Sequence, residues 1–555
     1  MKQNQEKQDK KVFIFSLDGV SFNLLNQLRE DNAIPFLSKL IDSSSYGDLL
    51  STDPPLTPTA WASIFTGLNP GNHGIYDFIV QNGEGVFKPT NSTFIQGKAL
   101  WDYVSNANKK VVLLNQPITY PPYPVNGIMI SDHIFTPKNA KSISNPEDFQ
   151  NEVSKLFGPY KIFNDVSFDD SKIEDELKEY KKEINYKTNI FEYIAKNYEW
   201  DLFVLYFSST DQIQHSNMHI IDKGHPNFNK NLHGKYYHKI LEYFKHLDAH
   251  IKKIYESLPL NTSVLFVSDH GLCPLTKYLH LNTWLLDRGY LCLKNTLLIK
   301  LKYYFFKFGL TPENLHKIFG RFFSIKRAMP MMNNKLNSFL NKIFLSFGDI
   351  DWNKTTLFSK GNYGQIFINK KRRTEFSTDQ ILKNLINDLM EWIDYECNEK
   401  IVERVLCKED IYHGGKVNLA QDVLFYTKDF KYKALGTLDF NSNKTISNAF
   451  GGTGFHSPYG IFICSGEGIK ANNKLQNLKA EDITPTILQM FGLSVPENCD
   501  GRIIDELFIN PDDAHTKIEN ITNGDFSIKK NEDKFEYSNE DQLKIEKRLR
   551  DLGYL

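Results

Sequence analysis

The sequence predicts an α/β fold in which helices cover both faces of a mostly parallel central sheet. Short apolar runs that end in polar loops recur along the chain, and this pattern is typical of strands buried on both faces. Between these runs, apolar residues recur at helical spacing. Strands and helices that alternate in this way favour a parallel sheet. The length of 555 residues allows one large domain with insertions, or two or three domains.

Five apolar runs predict the strands of the sheet. They are VFIFSLDGV from residue 12, VVLLNQP from 111, LFVLYFSSTD from 202, SVLFVSDHG from 263 and YGIFICSG from 459. Helical periodicity spans 23–42, 236–258 and 379–394, and it returns in the last residues, QLKIEKRLRDLGYL. Ligands of such folds bind beyond the carboxyl ends of the strands, where loop residues converge.

The composition argues against several classes of protein. The formal net charge of -1 and the pI of about 6.9 provide no basic field, so we expect no specific nucleic-acid binding. The six cysteines form no C-x-x-C pair, which argues against a disulfide framework and a thiolate zinc site. The charged leader MKQNQEKQDKK precedes a strand-sized run rather than a signal peptide, and no apolar run has the length of a membrane span. We therefore expect a cytoplasmic location.

The segment 295–345 interrupts the alternation of strands and helices. It is rich in aromatic and aliphatic residues, and its nine basic residues stand against the single acid Glu313. Two interpretations stay open: an ordinary amphipathic insert with a local core, or a surface that contacts an acidic substrate or an anionic membrane. The predicted domains are a disordered leader at 1–10, a catalytic core at 11–290 and 351–510, an inserted basic and aromatic helical cap at 291–350, and a polar tail with a terminal helix at 511–555.

Carboxylates and imidazoles follow the predicted strands or lie on the glycine-rich loop GGTGFHSPYG. The six candidates are Asp18, Asp211, His215, Asp269, His270 and His456. Zinc accepts Asp oxygen and His nitrogen, and two zinc ions about 3.5–4 Å apart can clamp both oxygens of a phosphoryl displacement. Taken singly, each candidate is more often a turn residue, a helix cap or part of a solvated helix face. Only the set as a whole predicts a two-metal site.

A nucleophile is predicted in DPPLTPTAWASIFTGLNPGNHGIYDF, residues 53–78. A Pro-rich approach leads into a helix that starts near Thr57 or Thr59, and the free N–H groups of a helix N-terminus favour a bound phosphate. Coordination to a metal ion would lower the pKa of a threonine hydroxyl there without a general base. The alternative is that Thr57 or Thr59 merely caps the helix.

Five motifs occur in a fixed order: SLDGV, PPLTPTAWASIFTGLNPGNHGIYDF, SSTDQIQH, SDHG and GTGFHSP. Together they resemble the alkaline phosphatase superfamily, and within it the type I phosphodiesterase/nucleotide pyrophosphatase-like proteins. The segments QPITYPPYPVNGIMISDHIFTP and ITPTILQMFGLSVPENCDGRII are also similar to the bacterial branch of phosphohydrolases and phosphomutases. The resemblance covers residues 11–507 and implies an alkaline-phosphatase-like three-layer α/β/α sandwich with an inserted helical cap.

The resemblance also implies roles for the candidate residues. Two zinc ions, with manganese as the alternative metal, would be held by two triads: Asp211, His215 and His456, and Asp18, Asp269 and His270. Thr57 would be an exchangeable ligand of the second ion and the nucleophile that forms a covalent phosphothreonine. The resemblance thus favours Thr57 over Thr59.

The expected function is hydrolysis of a small phosphorylated substrate, with phosphodiester or phosphoanhydride bonds as the first choice. Ala60, the third residue after Thr57, has no side chain that donates to a phosphoryl oxygen, so the preference between monoesters and diesters stays open. One alternative is a metal-dependent phosphomutase or phosphomonoesterase of the same superfamily. The other is a non-enzymatic module that binds a membrane surface or an anionic ligand. The sequence does not predict the oligomeric state.

Overall fold

The computed structural model describes residues 10–81, 87–160, 168–319, 343–370, 378–436, 440–510 and 535–552. These residues form two compact units. The first contains the described parts of 1–273, 412–419 and 456–552, and the second those of 274–411 and 420–455. Most of the predicted leader, residues 320–342 of the predicted cap and residues 511–534 of the predicted tail lie outside the described residues. The predicted domain boundaries stay a prediction.

The first unit is built on a ten-stranded, mostly parallel sheet. Its strands follow the order Asn473–Lys474, Ser45–Leu50, Tyr459–Ser465, Thr262–Val267, Lys11–Leu17, Leu202–Phe207, Val111–Leu114, Gly127–Ile130 and Ser144–Asn145, and Leu478–Lys479 also pairs with Ser45–Leu50. The central strands run parallel, whereas Tyr459–Ser465 is antiparallel to both of its neighbours. All five predicted strands are confirmed.

Alternate side chains of the strand Lys11–Leu17 enter different cores, because successive residues of a strand point to opposite faces. Phe13 and Phe15 pack into one core, and Val12 and Ile14 into the other. The first core is covered by the helices Phe22–Glu30, Pro35–Asp42, Phe149–Phe157, Ile173–Asn197, Ser209–Ile221 and Lys230–Ser257. The second is covered by Thr57–Thr66, Leu100–Asn106 and Ile483–Met490. The unit is therefore the predicted three-layer α/β/α sandwich.

Further elements of this unit are Pro70–His73, Ile79–Gln81, Phe87–Pro89 and the C-terminal helix Asn539–Asp551. The predicted helix at 23–42 is wrong in one respect, because it is two helices. Asn32 between them has a φ of 50°, a left-handed conformation that ends a helix. Pro35, which lacks an N–H, begins the second helix. The carboxylate of Asp248 caps that helix by accepting hydrogen bonds from the amides of Phe36 and Leu37, both at 2.9 Å.

The second unit contains a four-stranded antiparallel sheet in the order Leu357–Ser359, Gln365–Ile368, Val423–Thr427 and Val402–Cys407. A second sheet joins Tyr432–Leu435, Lys277–His280 and Ile446–Asn448. The helices are Leu281–Asp287, Leu297–Lys307, Pro312–Phe319, Thr378–Met390 and Lys408–Ile411. The predicted helix at 379–394 ends at Met390, since Ile393–Asp394 turns back through Asn398, with a φ of 55°, to pair with Glu399–Lys400. Within the described ranges, no helix is long and apolar enough to cross a membrane.

Candidate metal centre

The helix Thr57–Thr66 places a threonine hydroxyl at its first position. Its N-cap residue, Leu56, makes no side-chain cap, and all ten residues of the helix are buried. The Oγ1 of Thr57 lies 3.2 Å from Nε2 of His270. The Oγ1 of Thr59 is also buried and has no hydrogen-bond partner among the described residues. Neither threonine therefore caps the helix.

Three carboxylates meet beyond the carboxyl ends of three neighbouring strands. Asp18 follows Lys11–Leu17, Asp269 follows Thr262–Val267, and Asp211 lies in the first helical turn after Leu202–Phe207. All three side chains are fully buried. The approach is close: at Gly19, with a φ of 68°, a Cβ atom would lie 2.8 Å from Oδ1 of Asp211. Only glycine fits at position 19, because its φ is positive and because a side chain there would collide with Asp211.

One triad of candidate ligands forms around Asp211. His215 follows it by one helical turn. The predicted loop position of His456 is wrong, because His456 lies on the short strand Gly454–Ser457. The Nε2 of His215 is 3.3 Å from Oδ1 of Asp211 and 2.9 Å from Nε2 of His456. The Nε2 of His456 is 3.7 Å from the same Asp211 oxygen.

The second triad forms around His270. Its Nε2 is 3.5 Å from Oδ1 of Asp18 and 3.2 Å from Oδ2 of Asp269, and it is the nitrogen that Thr57 contacts. The rings of His270 and His456 stack with centroids 3.6 Å apart, so the two triads adjoin. The structure thus brings all seven predicted site residues together.

Hydrogen bonds orient the imidazoles and one carboxylate. The Nδ1 of His456 donates to the carbonyl of Pro55 at 2.8 Å, and Nδ1 of His270 donates to the carbonyl of Gly271 at 3.3 Å, so each Nε2 keeps its lone pair for a metal ion. The hydroxyl of Tyr206 donates to Oδ2 of Asp18. Among the described residues, Oδ1 of Asp18 and Oδ2 of Asp269 are buried and accept no hydrogen bond.

The electrostatics of the cluster favour a bound cation. Burial raises the pKa of Asp18 well above its usual value, and the charges of Asp269 and Asp211 raise it further. Burial and the charge of Asp211 likewise raise the pKa of Asp269. Burial lowers the pKa of His270 to about 4. Buried carboxylates are costly unless they are paired or bind metal ions, and mixed nitrogen and oxygen donors suit zinc. The residues therefore fit a metal site.

Several supporting residues were missed by sequence reasoning. Tyr206 lies inside an apolar strand, and its hydroxyl among apolar side chains was the only sign in the sequence of a role in the site. Ser268 accepts a hydrogen bond from the amide of Val20 and donates to the carbonyl of His270, both at 2.8 Å. Gln214 donates to the carbonyl of Gly19 at 2.8 Å. Most of these partners are backbone atoms, which a sequence pattern does not reveal.

A three-layer sandwich that gathers carboxylates and imidazoles beyond the ends of its parallel strands has a donor set suited to the metal-dependent hydrolysis of phosphoesters. The model of the type I phosphodiesterase / nucleotide pyrophosphatase family matches residues 12–331, which is more than half of the chain. The chain belongs to this family, which is metal-dependent.

Two solved structures share the fold. Human ectonucleotide pyrophosphatase / phosphodiesterase 5 is 13% identical over 90% of this chain and 100% of its own, with a TM-score of 0.50. Phosphonoacetate hydrolase from Sinorhizobium meliloti 1021, in complex with phosphonoformate, is 12% identical over 86% of this chain and 94% of its own, also with a TM-score of 0.50. At these identities the similarity concerns the fold alone. No curated protein sequence matches the chain significantly.

Proposed function

We propose that this protein hydrolyses phosphodiester or phosphoanhydride bonds of small phosphorylated substrates, with Thr57 as the nucleophile and a zinc ion in each triad. One observation carries the proposal: the Oγ1 of Thr57, at the first position of a buried helix, lies 3.2 Å from Nε2 of His270. The Oγ1 of Thr59, on the same helical turn, has no hydrogen-bond partner among the described residues, so contact with a candidate metal ligand distinguishes Thr57 from Thr59.

Each triad supplies both kinds of donor that zinc prefers. The first is Asp211, His215 and His456, and the second is Asp18, Asp269 and His270. Divalent ions bound there would lower the pKa of the Thr57 hydroxyl and offset the charge on the phosphoryl oxygens. Manganese is the alternative metal, and elemental analysis of the purified protein distinguishes the two.

The helix Thr57–Thr66 would hold the phosphoryl group as well as the nucleophile. The amides of Thr57 and Thr59 have no acceptor within the helix, Pro58 has no N–H, and the positive end of the helix dipole favours an anion. These amides would compensate for Ala60, whose side chain offers no donor. Trp61 offers an indole N–H on the same helix face as Thr57, four residues on; its Nε1 is buried and has no hydrogen-bond partner in the described chain.

The reaction would proceed in two displacements at phosphorus. The Oγ1 of Thr57 forms a bond to phosphorus as the bond from phosphorus to the leaving group breaks, and the proton of Thr57 ends on the departing alcohol or phosphate. Water then attacks the phosphothreonine, which releases the threonine hydroxyl and a phosphate monoester.

Thr59 provides a matched control, because it is the same residue type, on the same helical turn and equally buried. We expect the zinc-loaded wild type to hydrolyse bis-p-nitrophenyl phosphate and thymidine 5′-p-nitrophenyl ester faster than p-nitrophenyl phosphate. Thr57→Ala should lose at least about a thousandfold in kcat, as enzymes that lose a nucleophile do. Thr59→Val should stay within about twofold, since the hydroxyl that it removes has no hydrogen-bond partner in the described parts of the chain. Wild-type turnover by Thr57→Ala would overturn the proposal.

Two further outcomes separate the alternatives of the same superfamily. A faster reaction with the monoester would identify a phosphomonoesterase. Return of the phosphoryl group to a second position of a sugar phosphate, without release of phosphate, would identify a phosphomutase.

A further inference from the structure

One helix of the second unit carries an exposed apolar face that the proposed phosphoesterase activity does not require. Fourteen large apolar side chains are exposed among the described residues, and six of them fall within residues 297–308. We call these six the outer face: Leu297, Leu298, Leu301, Tyr304, Phe305 and Phe308. Leu297 is 85% exposed and Phe308 is 74% exposed. Single exposed apolar residues are ordinary, but a continuous group of this size marks an interaction surface.

The outer face is separate from the face that anchors the helix Leu297–Lys307 in its own unit. Ile299 and Phe306 pack into the core of that unit, and Lys302 beside them is buried in an ion pair with Asp349 at 2.9 Å. At about 100° per residue, the outer face covers an arc of about 120°, next to the arc of the three buried residues. A helix that is apolar on both sides is normally covered on both sides.

The charge of the surrounding segment indicates which partner covers the outer face. The described residues 295–319 carry one acid, Glu313, and four lysines, whereas the whole chain has a net charge of -1. These lysines are Lys300, Lys302, Lys307 and Lys317. Lys300 is exposed, and Lys307, which pairs with Asp287 at 2.7 Å, is also exposed. Helical geometry puts both lysines on one flank of the outer face.

We infer that the outer face docks on a membrane surface that carries anionic lipid headgroups. Its apolar side chains would enter the boundary between headgroups and acyl chains, and the flanking lysines would meet the lipid phosphates. A second copy of the chain would bring the same flanking lysines towards this face, and like charges disfavour that contact.

Vesicle sedimentation with the full-length protein tests the inference. We expect the wild type to bind vesicles of phosphatidylcholine mixed with phosphatidylglycerol, and to bind pure phosphatidylcholine vesicles much less. The double variant Leu301→Ser with Phe308→Ser should lose at least about tenfold in partitioning, because two large apolar side chains no longer leave water. Lys300→Glu should also weaken binding, and added salt should do the same. Tyr395→Ser, at a residue of the same unit that is 86% exposed, is the matched control and should bind like the wild type.

A fluorescence variant separates the other occupants of the outer face. In Phe308→Trp, the fluorescence emission of the introduced tryptophan should shift to the blue only when anionic vesicles are added. A blue-shifted emission before vesicles are added would mean that the chain itself or a second copy covers the face, and this would overturn the inference. The inference would also be wrong if the wild type did not bind anionic vesicles, or if the double variant bound them equally well. Retention on polyglutamate alone would overturn it in favour of an acidic protein as the partner. The double variant should keep wild-type turnover of soluble phosphodiesters, so this test is independent of the proposed catalytic function.

Discussion

The hydroxyl of Tyr206 should contribute to metal affinity, because it donates a hydrogen bond to the buried carboxylate of Asp18. Tyr206→Phe removes this donor and keeps the ring, which packs at 5.9 Å from the ring of Trp61. A hydrogen bond to a charged group contributes about 1.5–3 kcal/mol, and about 1.4 kcal/mol is a tenfold change in an equilibrium constant. We therefore expect the affinity for the ion held by Asp18, Asp269 and His270 to fall by about 10- to 100-fold, the range typical of residues that orient metal ligands.

Competition with a chromophoric chelator in zinc-buffered solution measures this affinity directly. Tyr243→Phe is the control, because Tyr243 is equally buried but its hydroxyl bonds to Ser209, at 2.6 Å, rather than to a carboxylate. The control should bind zinc like the wild type. If Tyr206→Phe retains the wild-type affinity, or if Tyr243→Phe loses as much, the assignment of Asp18 as an oriented metal ligand is wrong.

Three further predictions concern stability. Removal of the ions by a chelator should lower the melting temperature by several degrees, and added zinc should restore it. Each ion present at a hundred times its Kd contributes about 2.7 kcal/mol to the free energy of unfolding. An unchanged melting curve would argue against the metal site. Asp248→Ala should lower the free energy of unfolding, measured in urea, by about 1–2 kcal/mol, because it removes the cap of the helix Pro35–Asp42. The control is Lys252→Ala, on the same helix as Asp248, which should leave the free energy of unfolding almost unchanged. Arg548→Ala should speed proteolysis near the C-terminus. The reason is that Arg548 donates hydrogen bonds to the carbonyls of His133, Ile134 and Thr136 at 3.2, 2.7 and 2.9 Å, which hold the C-terminal helix in place. Arg550→Ala is the control, and equal cleavage of the two variants would contradict this role of Arg548.

The carboxylates of the candidate site could be predicted from the sequence because a physical rule connects them. Asp18 and Asp269 follow buried strands, and parallel strands bring their carboxyl ends to one edge. Asp211 and His215 are one helical turn apart, so their proximity needed only a helix at that point. The approach of His456 was less predictable, because no local spacing ties it to His215; the resemblance to a family supplied that pairing.

Features that depend on distant backbone atoms could not be predicted. The carbonyl of Pro55 orients His456 across 401 positions of the chain, and no residue type marks that contact. The break at Asn32 was hidden because the apolar spacing continues on both sides of it. The antiparallel sheet of the second unit was also missed, since its strands are short and pair segments as distant as Gln365–Ile368 and Val423–Thr427. Its neighbour Val402–Cys407 is half exposed and lacks a continuous apolar run.

The central claim is that two metal ions lie in the two triads beside Thr57. Anomalous diffraction from crystals of the zinc-loaded protein, collected on both sides of the zinc absorption edge, tests this claim most directly. We predict two zinc peaks, one among Asp211, His215 and His456 and the other among Asp18, Asp269 and His270, with Thr57 next to the second. A single peak, peaks elsewhere on the protein, or no anomalous signal within the cluster would contradict the account.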